Sequence, residues 1–137
     1  MEQSLRIVIA DDDRHARAGL RALLTASLAC DIVGEAANGE DVVAQVARYR
    51  LDAVVLDLRM PVLDGMQATR IIKERWPATI VVALTMYVAH RDAALAAGAD
   101  AFVSKGDTPT QVIQVLRALG HRAAMHTPPR PEEPGPR

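Results

Sequence analysis

Residues 53–65 read AVVLDLRMPVLDG, and this stretch decides the fold. Its first part predicts a strand over Ala53–Asp57, because an unbroken apolar run is typical of a strand that is buried on both faces. Strands of that kind belong to parallel sheets with helices on both sides. Asp57 ends the run, and a carboxylate at the end of a buried strand needs a polar or charged partner. Asp64 stands where it can cap a following helix.

Short apolar runs of the same kind recur on both sides of this stretch. They alternate with longer segments whose apolar residues repeat at helical spacing. This alternation predicts one α/β domain with five strand–helix pairs and a parallel, doubly wound sheet. The four further strands are expected at Leu5–Ala10, Ile32–Ala36, Ile80–Leu84 and Ala101–Ser104.

Turn and capping residues mark the limits of the helices. Asn38-Gly39 is a turn before the second helix, and Pro77 ends the third. Gly98 is expected to follow a short fourth helix around Arg91–Ala97. Thr108-Pro109 predicts the N-cap and the first residue of the fifth helix.

The last part of the chain differs in composition from the rest. Five of the eight prolines fall within residues 121–137, where no apolar stripe is present. Such a segment buries too little apolar surface to offset the entropy lost on ordering. We therefore expect residues 1–120 to form a single domain and residues 121–137 to form a disordered tail.

Composition limits the kinds of partner. The 137 residues include 16 basic and 17 acidic side chains, and a formal net charge of −1 gives no broad field for nucleic acid or an anionic membrane. A single cysteine, Cys30, cannot form an internal disulfide. The apolar runs are far shorter than the roughly twenty residues that cross a bilayer. These features indicate a cytoplasmic protein.

Polar residues stand at the carboxyl ends of the predicted strands, which share one edge of an open parallel sheet. Carboxylates about 5 Å apart repel by about 3 kcal/mol per pair at an effective dielectric of 20, so such a group requires a cation. An all-oxygen set favours Mg²⁺ over Mn²⁺ or Ca²⁺. The residues at these ends are Asp11, Asp12, Asp57, Thr85 and Lys105.

Lys105 stands out because the chain has fourteen arginines and only two lysines. A compact ammonium suits a contact to one phosphoryl oxygen better than a planar guanidinium does. A magnesium site, a carboxylate, a hydroxyl and a lysine are the parts needed for phosphoryl transfer to an aspartate.

Four segments of the chain carry a family resemblance: IVIADDDRHARAGLRALL at 7–24, VVLDLRMPVLDGMQATR at 54–70, ALTMY at 83–87 and AGADAFVSKG at 97–106. With them the sequence resembles the receiver domains of bacterial two-component response regulators, with local motifs similar to the NarL/FixJ subgroup. The resemblance spans about Leu5 to Leu119 and implies a flavodoxin-like (βα)5 sheet with strand order 2-1-3-4-5.

The resemblance implies roles for the acidic residues. Asp57 would be the phosphoacceptor and, with Asp12, a direct carboxylate ligand of Mg²⁺. The main-chain carbonyl of Arg59 would complete the protein's ligands, and Asp11 would act through bound water.

It also implies roles for residues around them. Thr85 and Lys105 would contact the phosphoryl group, and Phe102 stands at the position of the family's aromatic switch. Arg59 and Tyr87, with the bulky Met86, flank the path of the water that removes the phosphoryl group. They are expected either to stack as a cover over the site by a cation–π contact or to point into solvent.

The implied activity is acceptance of a phosphoryl group from the phosphohistidine of a sensor histidine kinase. The domain would catalyse only its own phosphorylation and dephosphorylation, and it would control a second copy of itself or a downstream effector. Members of this subgroup usually continue into a helix-turn-helix effector, whereas a Pro-rich segment follows here. We therefore expect no direct DNA binding by this chain and no membrane partner.

Two other functions do not fit the sequence. A haloacid-dehalogenase type of hydrolase needs a second aspartate where Arg59 stands, and a nucleotide-binding module needs a Gly-rich loop where DDDRHA stands at 11–16. Two alternatives stay open. The chain is the regulatory part of a DNA-binding transcription factor, or it is an interaction module that works without phosphorylation.

Overall fold

The computed structural model describes residues 4–105 and 110–126. In this part of the chain, five strands and five α-helices alternate. The strands are β1 (Leu5–Ala10), β2 (Cys30–Ala36), β3 (Ala53–Asp57), β4 (Ile80–Thr85) and β5 (Ala101–Ser104). The helices are α1 (Arg14–Ser27), α2 (Gly39–Arg48), α3 (Gly65–Arg75), α4 (Arg91–Ala96) and α5 (Thr110–His126), and a 3-10 turn (Val88–His90) precedes α4.

The five strands form one parallel sheet in the order β2-β1-β3-β4-β5. This is the flavodoxin-like order, so the predicted fold class is confirmed. Helix α1, which follows β1, packs on one face of the sheet, whereas helix α3, which follows the neighbouring strand β3, packs on the other. Loops that follow β1 and β3 therefore diverge and leave a crevice at the carboxyl edge.

Two apolar clusters, one on each face of the sheet, make up the core. Alternate residues of the central strands point to opposite faces, as Val54 and Leu56 do on one side and Ala53 and Val55 on the other. The first face packs against α2, α3 and α4, and the second packs against α1 and α5. None of the described helices combines the length and the apolar character that a membrane crossing requires.

The helix ends carry the caps that the sequence predicts. The Asn38 side chain accepts a hydrogen bond from the Asp41 amide, and the Asp64 side chain accepts one from the Gln67 amide, both at 2.8 Å. Gly98 has a φ of +110° directly after α4, a conformation that a residue with a Cβ rarely adopts. The predicted roles of Asp64 and Gly98 are confirmed, and Asn38, predicted as a turn residue, is the N-cap of α2. Thr108-Pro109 lies outside the described residues.

The fifth helix is longer than the sequence predicts. It continues to His126, so the expectation of disorder from residue 121 is wrong for residues 121–126. The reason is local, because this segment contains neither proline nor glycine and includes Ala123 and Ala124, which are strong helix formers. A helix already anchored to the sheet by Leu116 extends through such a segment at little cost. The rest of the predicted tail, residues 127–137, lies outside the described residues.

Candidate functional site

The sheet register brings the predicted site residues to one edge. Asp57 is the last residue of β3 and pairs with Leu84, while Thr85 ends β4 beside Ser104 of β5. Lys105 follows directly, and its amide donates to the Thr85 carbonyl at 2.8 Å. Asp11 follows β1, where its amide donates to the Ala36 carbonyl at 3.0 Å.

Lys105 connects two of the carboxylates. Its Nζ lies 2.6 Å from Asp11 Oδ2 and 3.0 Å from Asp57 Oδ2. Asp11 and Asp57 are buried, so this ammonium offsets the cost of placing two negative charges out of water. The structure thus joins residues that are 94 and 48 positions apart in the sequence.

Burial shifts the proton affinity of this group. It raises the pKa of Asp57 above the usual aspartate range, against the opposing effects of the Arg59 amide and the Lys105 ammonium. Burial alone would lower the pKa of Lys105, but the hydrogen bonds to Asp11 and Asp57 outweigh it and the net pKa is raised. Lys105 therefore stays protonated at neutral pH.

Asp11, Asp12 and Asp57 form an acidic cluster that fits a divalent cation. One carboxylate oxygen from each residue lies within 4.8 Å of the others. The donor set contains only oxygen, which hard ions such as Mg²⁺ prefer.

The three carboxylates of the acidic cluster differ in what they already bind. The Asp11 oxygens accept from the Asp13 amide and from Lys105, and the Asp57 oxygens accept from the Arg59 amide and from Lys105. No described residue donates a hydrogen bond to the exposed Asp12 carboxylate. Asp12 is therefore the carboxylate most available for direct coordination.

Arg59 and Tyr87 contact each other beside the acidic cluster. Arg59 Nη1 lies 3.0 Å from Tyr87 Oη, and Arg59 Cζ lies 5.2 Å from the centre of the Tyr87 ring. The predicted cation–π contact is therefore present, but both side chains are also exposed to solvent, and a cover over the site stays a prediction. Tyr87 is 49 % exposed and the adjacent Met86 is 64 % exposed. The Arg59–Tyr87 pair therefore lies at the rim of the acidic cluster.

Thr85 and Phe102 stand on neighbouring strands. Thr85 is buried, and its hydroxyl oxygen accepts a hydrogen bond from the Tyr87 amide at 3.1 Å. Its hydroxyl proton remains available to a further acceptor. Phe102 is half-buried and packs against the apolar cluster beneath α4.

An open groove of about 630 Å³ leads from the acidic cluster across the loop that follows β3. Its surface combines apolar side chains with acidic and basic ones. Its lining residues are Asp12, Leu58, Arg59, Met60, Pro61, Asp64, Met66 and His90.

Gly65 is a site residue that the sequence reasoning missed. A Cβ at this position would lie 2.1 Å from the carbonyl oxygen of Asp57, so any other residue would push the end of β3 aside. The Gly65 amide donates to the Leu58 carbonyl at 3.0 Å and closes the turn. A signal was present, because glycine is a poor first residue of a helix unless close approach requires it.

Arg17 and Glu35 were missed as well. Arg17 Nη1 donates to the main-chain carbonyl of Asp11 at 2.6 Å, and its Nε lies 3.1 Å from Glu35 Oε1. Arg21 Nη1 lies 2.7 Å from the other oxygen of Glu35. The pair of arginines four residues apart on one helix was visible in the sequence, but its partner on β2 was not.

The residues 7–117 match the family model of the response regulator receiver domain. The chain is 34 % identical over 125 residues to the transcriptional regulatory protein YhcZ of Bacillus subtilis, covering 90 % of this chain and 58 % of that protein. It is 32 % identical over 117 residues to the response regulator UvrY of Escherichia coli K12, covering 84 % of this chain and 54 % of that protein. The chain thus spans little more than half the length of these curated relatives.

Solved structures agree with the family match. A two-component response regulator of the LuxR family from Aurantimonas sp. SI85-9A1 superposes with a TM-score of 0.81 and 30 % identity, over 87 % of each chain. The signal receiver domain of NarL from Mycobacterium tuberculosis gives a TM-score of 0.80 and 29 % identity, over 87 % of this chain and 98 % of that one. Because the family model covers most of the chain, this protein belongs to the response regulator receiver domains of two-component systems, among relatives of the NarL and LuxR type.

Proposed function

We propose that this chain accepts a phosphoryl group on Asp57 from the phosphohistidine of a sensor histidine kinase, in a reaction that requires Mg²⁺. The observation that carries the proposal is the contact of Lys105 Nζ with both Asp11 and Asp57 beside the open carboxylate of Asp12. A nucleophile, a fixed positive charge and an acidic cluster thus stand together at the edge where this fold binds ligands.

Asp57, Lys105 and Thr85 have separate roles in the phosphoryl transfer. An oxygen of Asp57 attacks phosphorus, the bond from phosphorus to the donor nitrogen breaks, and the imidazole leaves with the electron pair. Lys105 moves its contact from the carboxylate to a phosphoryl oxygen and neutralises its charge. The Thr85 hydroxyl donates its free proton to a second phosphoryl oxygen.

A divalent cation would be held by Asp12, Asp57 and the main-chain carbonyl of Arg59, with Asp11 acting through water. Bound there, Mg²⁺ supplies positive charge that offsets repulsion between the carboxylates and the incoming phosphoryl group. No described residue donates a hydrogen bond to the Asp12 carboxylate, which supports its role as a direct ligand. The different roles of Asp11 and Asp57 follow the family resemblance, because a backbone amide and Lys105 already donate to the oxygens of both.

Phosphorylation would be read out through the strands beside the site. When the Thr85 hydroxyl turns toward the phosphoryl group, the hydrogen bond that it accepts from the Tyr87 amide is altered, and Phe102 on the adjacent strand repacks. The altered surface would then control a second copy of the chain or a downstream effector, with no direct DNA contact by this chain. A second candidate is the regulatory part of a transcription factor, since the Bacillus subtilis relative bears the name of an uncharacterized transcriptional regulatory protein.

The test is mass spectrometry after exposure to a small phosphodonor. Wild type with Mg²⁺ is expected to gain one phosphate, and Asp57→Asn is expected to gain none. Asp31→Asn is the matched control, because this exposed aspartate of β2 lies away from the acidic cluster. Equal labelling of Asp57→Asn, or full labelling in excess chelator, would overturn the proposal.

A further inference from the structure

Arg17 lies behind the acidic cluster and contacts the backbone between two of its members. The carbonyl that accepts from Arg17 Nη1 belongs to the peptide group joining Asp11 to Asp12. The guanidinium is itself held by Glu35, and its side chain is only 16 % exposed. Arg17 makes no hydrogen bond to a carboxylate of the acidic cluster, so its direct contact with the site is through this peptide group.

Both backbone polar groups of Asp11 are tied to the end of β2. The Asp11 amide donates to the Ala36 carbonyl at 3.0 Å. The Asp11 carbonyl accepts from Arg17, whose guanidinium also donates to the Glu35 carboxylate. With both groups fixed, the plane of the peptide preceding Asp12 cannot rotate freely. That plane sets the direction in which the Asp12 side chain leaves the backbone.

We infer that Arg17, held by Glu35, is a positioning residue that aims the Asp12 carboxylate at the divalent cation. The inference rests on the proposed function, since it assumes that the acidic cluster binds Mg²⁺. An arginine suits this role because its Nε and Nη1 donate in two fixed directions at once, toward a carboxylate and toward a carbonyl. A lysine carries one nitrogen on a flexible stem and would hold the two acceptors less rigidly.

The positive charge of Arg17 and its positioning role predict opposite changes in Mg²⁺ affinity when Arg17 is removed. Arg17 is a cation close to a cation site, so by Coulomb's law its removal would strengthen Mg²⁺ binding. If it positions Asp12, its removal would weaken binding instead, by about tenfold as is typical for residues that orient metal ligands. The sign of the change therefore separates the two effects.

The experiment is calorimetric titration of Mg²⁺ into the folded, unphosphorylated chain. Arg17→Met is expected to weaken Mg²⁺ binding about tenfold, and Arg17→Lys is expected to recover part of the loss. Arg21→Met is the matched control, because Arg21 contacts Glu35 but not the Asp11 carbonyl. It removes the same charge from the same helix and is expected to leave the affinity within about twofold of wild type.

The outcomes separate this inference from the proposed function. If wild type does not bind Mg²⁺, the metal requirement itself fails. If wild type binds and Arg17→Met binds equally or more tightly, only the positioning role is overturned. Should Arg17→Met fail to fold, as judged by circular dichroism, Arg17→Lys decides: weakened binding supports the role and wild-type affinity overturns it.

Discussion

At the scale of single residues, we predict that Arg59 and Tyr87 control how long a phosphoryl group persists on Asp57. They contact each other through a hydrogen bond and a cation–π arrangement at the rim of the acidic cluster. We expect the pair to hinder the water that attacks the phosphorylated Asp57. Arg59→Ala and Tyr87→Ala should each speed phosphate loss about tenfold, which corresponds to about 1.4 kcal/mol of barrier.

Timed loss of phosphate at fixed Mg²⁺ measures this effect. The double variant should decay no faster than either single one, because each change removes the same joint cover. Arg59→Ala retains the main-chain carbonyl, so metal coordination is preserved. Arg70→Ala, an exposed arginine of α3, is the control. Unchanged decay in both single variants would rule out the cover.

The two lysines show what residue composition could and could not reveal. The scarcity of lysine pointed to Lys105, whose ammonium indeed lies between two carboxylates. The same scarcity applied to Lys73, which the sequence reasoning passed over. Lys73 Nζ contacts the Pro77 carbonyl, the Thr79 carbonyl and Asp100 Oδ2, each at 2.9 Å. Pro77 and Thr79 are 4 and 6 positions away, but Asp100 is 27 positions away, so only the fold reveals that this lysine ties the end of α3 to the residue before β5.

At the scale of elements, Glu35 links the edge strand β2 to α1. The hydrogen bond from Arg21 is the main cause that lowers its pKa, and Arg17 adds to it while burial opposes both. A lowered pKa in the folded state means that the ionised form stabilises the fold. This contribution is complete above the unfolded-state pKa of about 4.3 and is lost as pH falls through the lower folded-state value.

Urea unfolding of wild type and Glu35→Gln at several pH values tests this linkage. At pH 7 the variant should be less stable by about 1 kcal/mol, as expected for a partly exposed ion pair. The difference should shrink toward zero as the pH falls from the unfolded-state pKa of about 4.3 through the lower folded-state pKa, because Glu35 of the folded wild type becomes protonated over that range. Glu74→Gln changes an exposed glutamate of α3 and should show no such trend. A difference that stays constant with pH would contradict the assignment.

Element boundaries were predicted well where the apolar pattern alone determines them. The bounds of β1, β3 and β5 match the sequence prediction because each is an apolar run with a polar residue at its end. Strand β2 begins two residues earlier than predicted, at Cys30, where Asp31 interrupts the pattern. Its first residues are strand because β1 pairs with them, as in Leu5 with Cys30. Pairing between distant segments leaves no local signal.

At the scale of the whole molecule, the site and the stability of the fold are coupled through charge. The residue types at the strand ends were enough to predict the acidic cluster, since the topology of a parallel sheet brings such ends together. The supports behind the cluster, Arg17 and Gly65, depend on packing that the apolar pattern does not encode. Residues suited to bind a metal ion are therefore easier to predict from a sequence than the residues that hold them in position.

The same coupling predicts how Mg²⁺ changes the stability of the fold. A cation that binds only the folded acidic cluster stabilises it by about 2.7 kcal/mol at a hundredfold excess over Kd. For a domain of this size the midpoint of thermal unfolding should rise by roughly 10 °C. Asp12→Asn removes one repelling charge, so it should stabilise the metal-free fold by about 1 kcal/mol and respond little to Mg²⁺.

Thermal melts with and without Mg²⁺ distinguish the loss of a metal ligand at Asp12 from the mere removal of one negative charge. Asp13→Asn is the matched control, because it removes the same charge one residue away and an asparagine still caps α1. This variant should keep the wild-type response to Mg²⁺. If Asp12→Asn shows the same rise in melting temperature as wild type, Asp12 is not the direct ligand. If neither variant nor wild type responds, Mg²⁺ does not bind the acidic cluster, because binding to the folded state alone must raise the melting temperature.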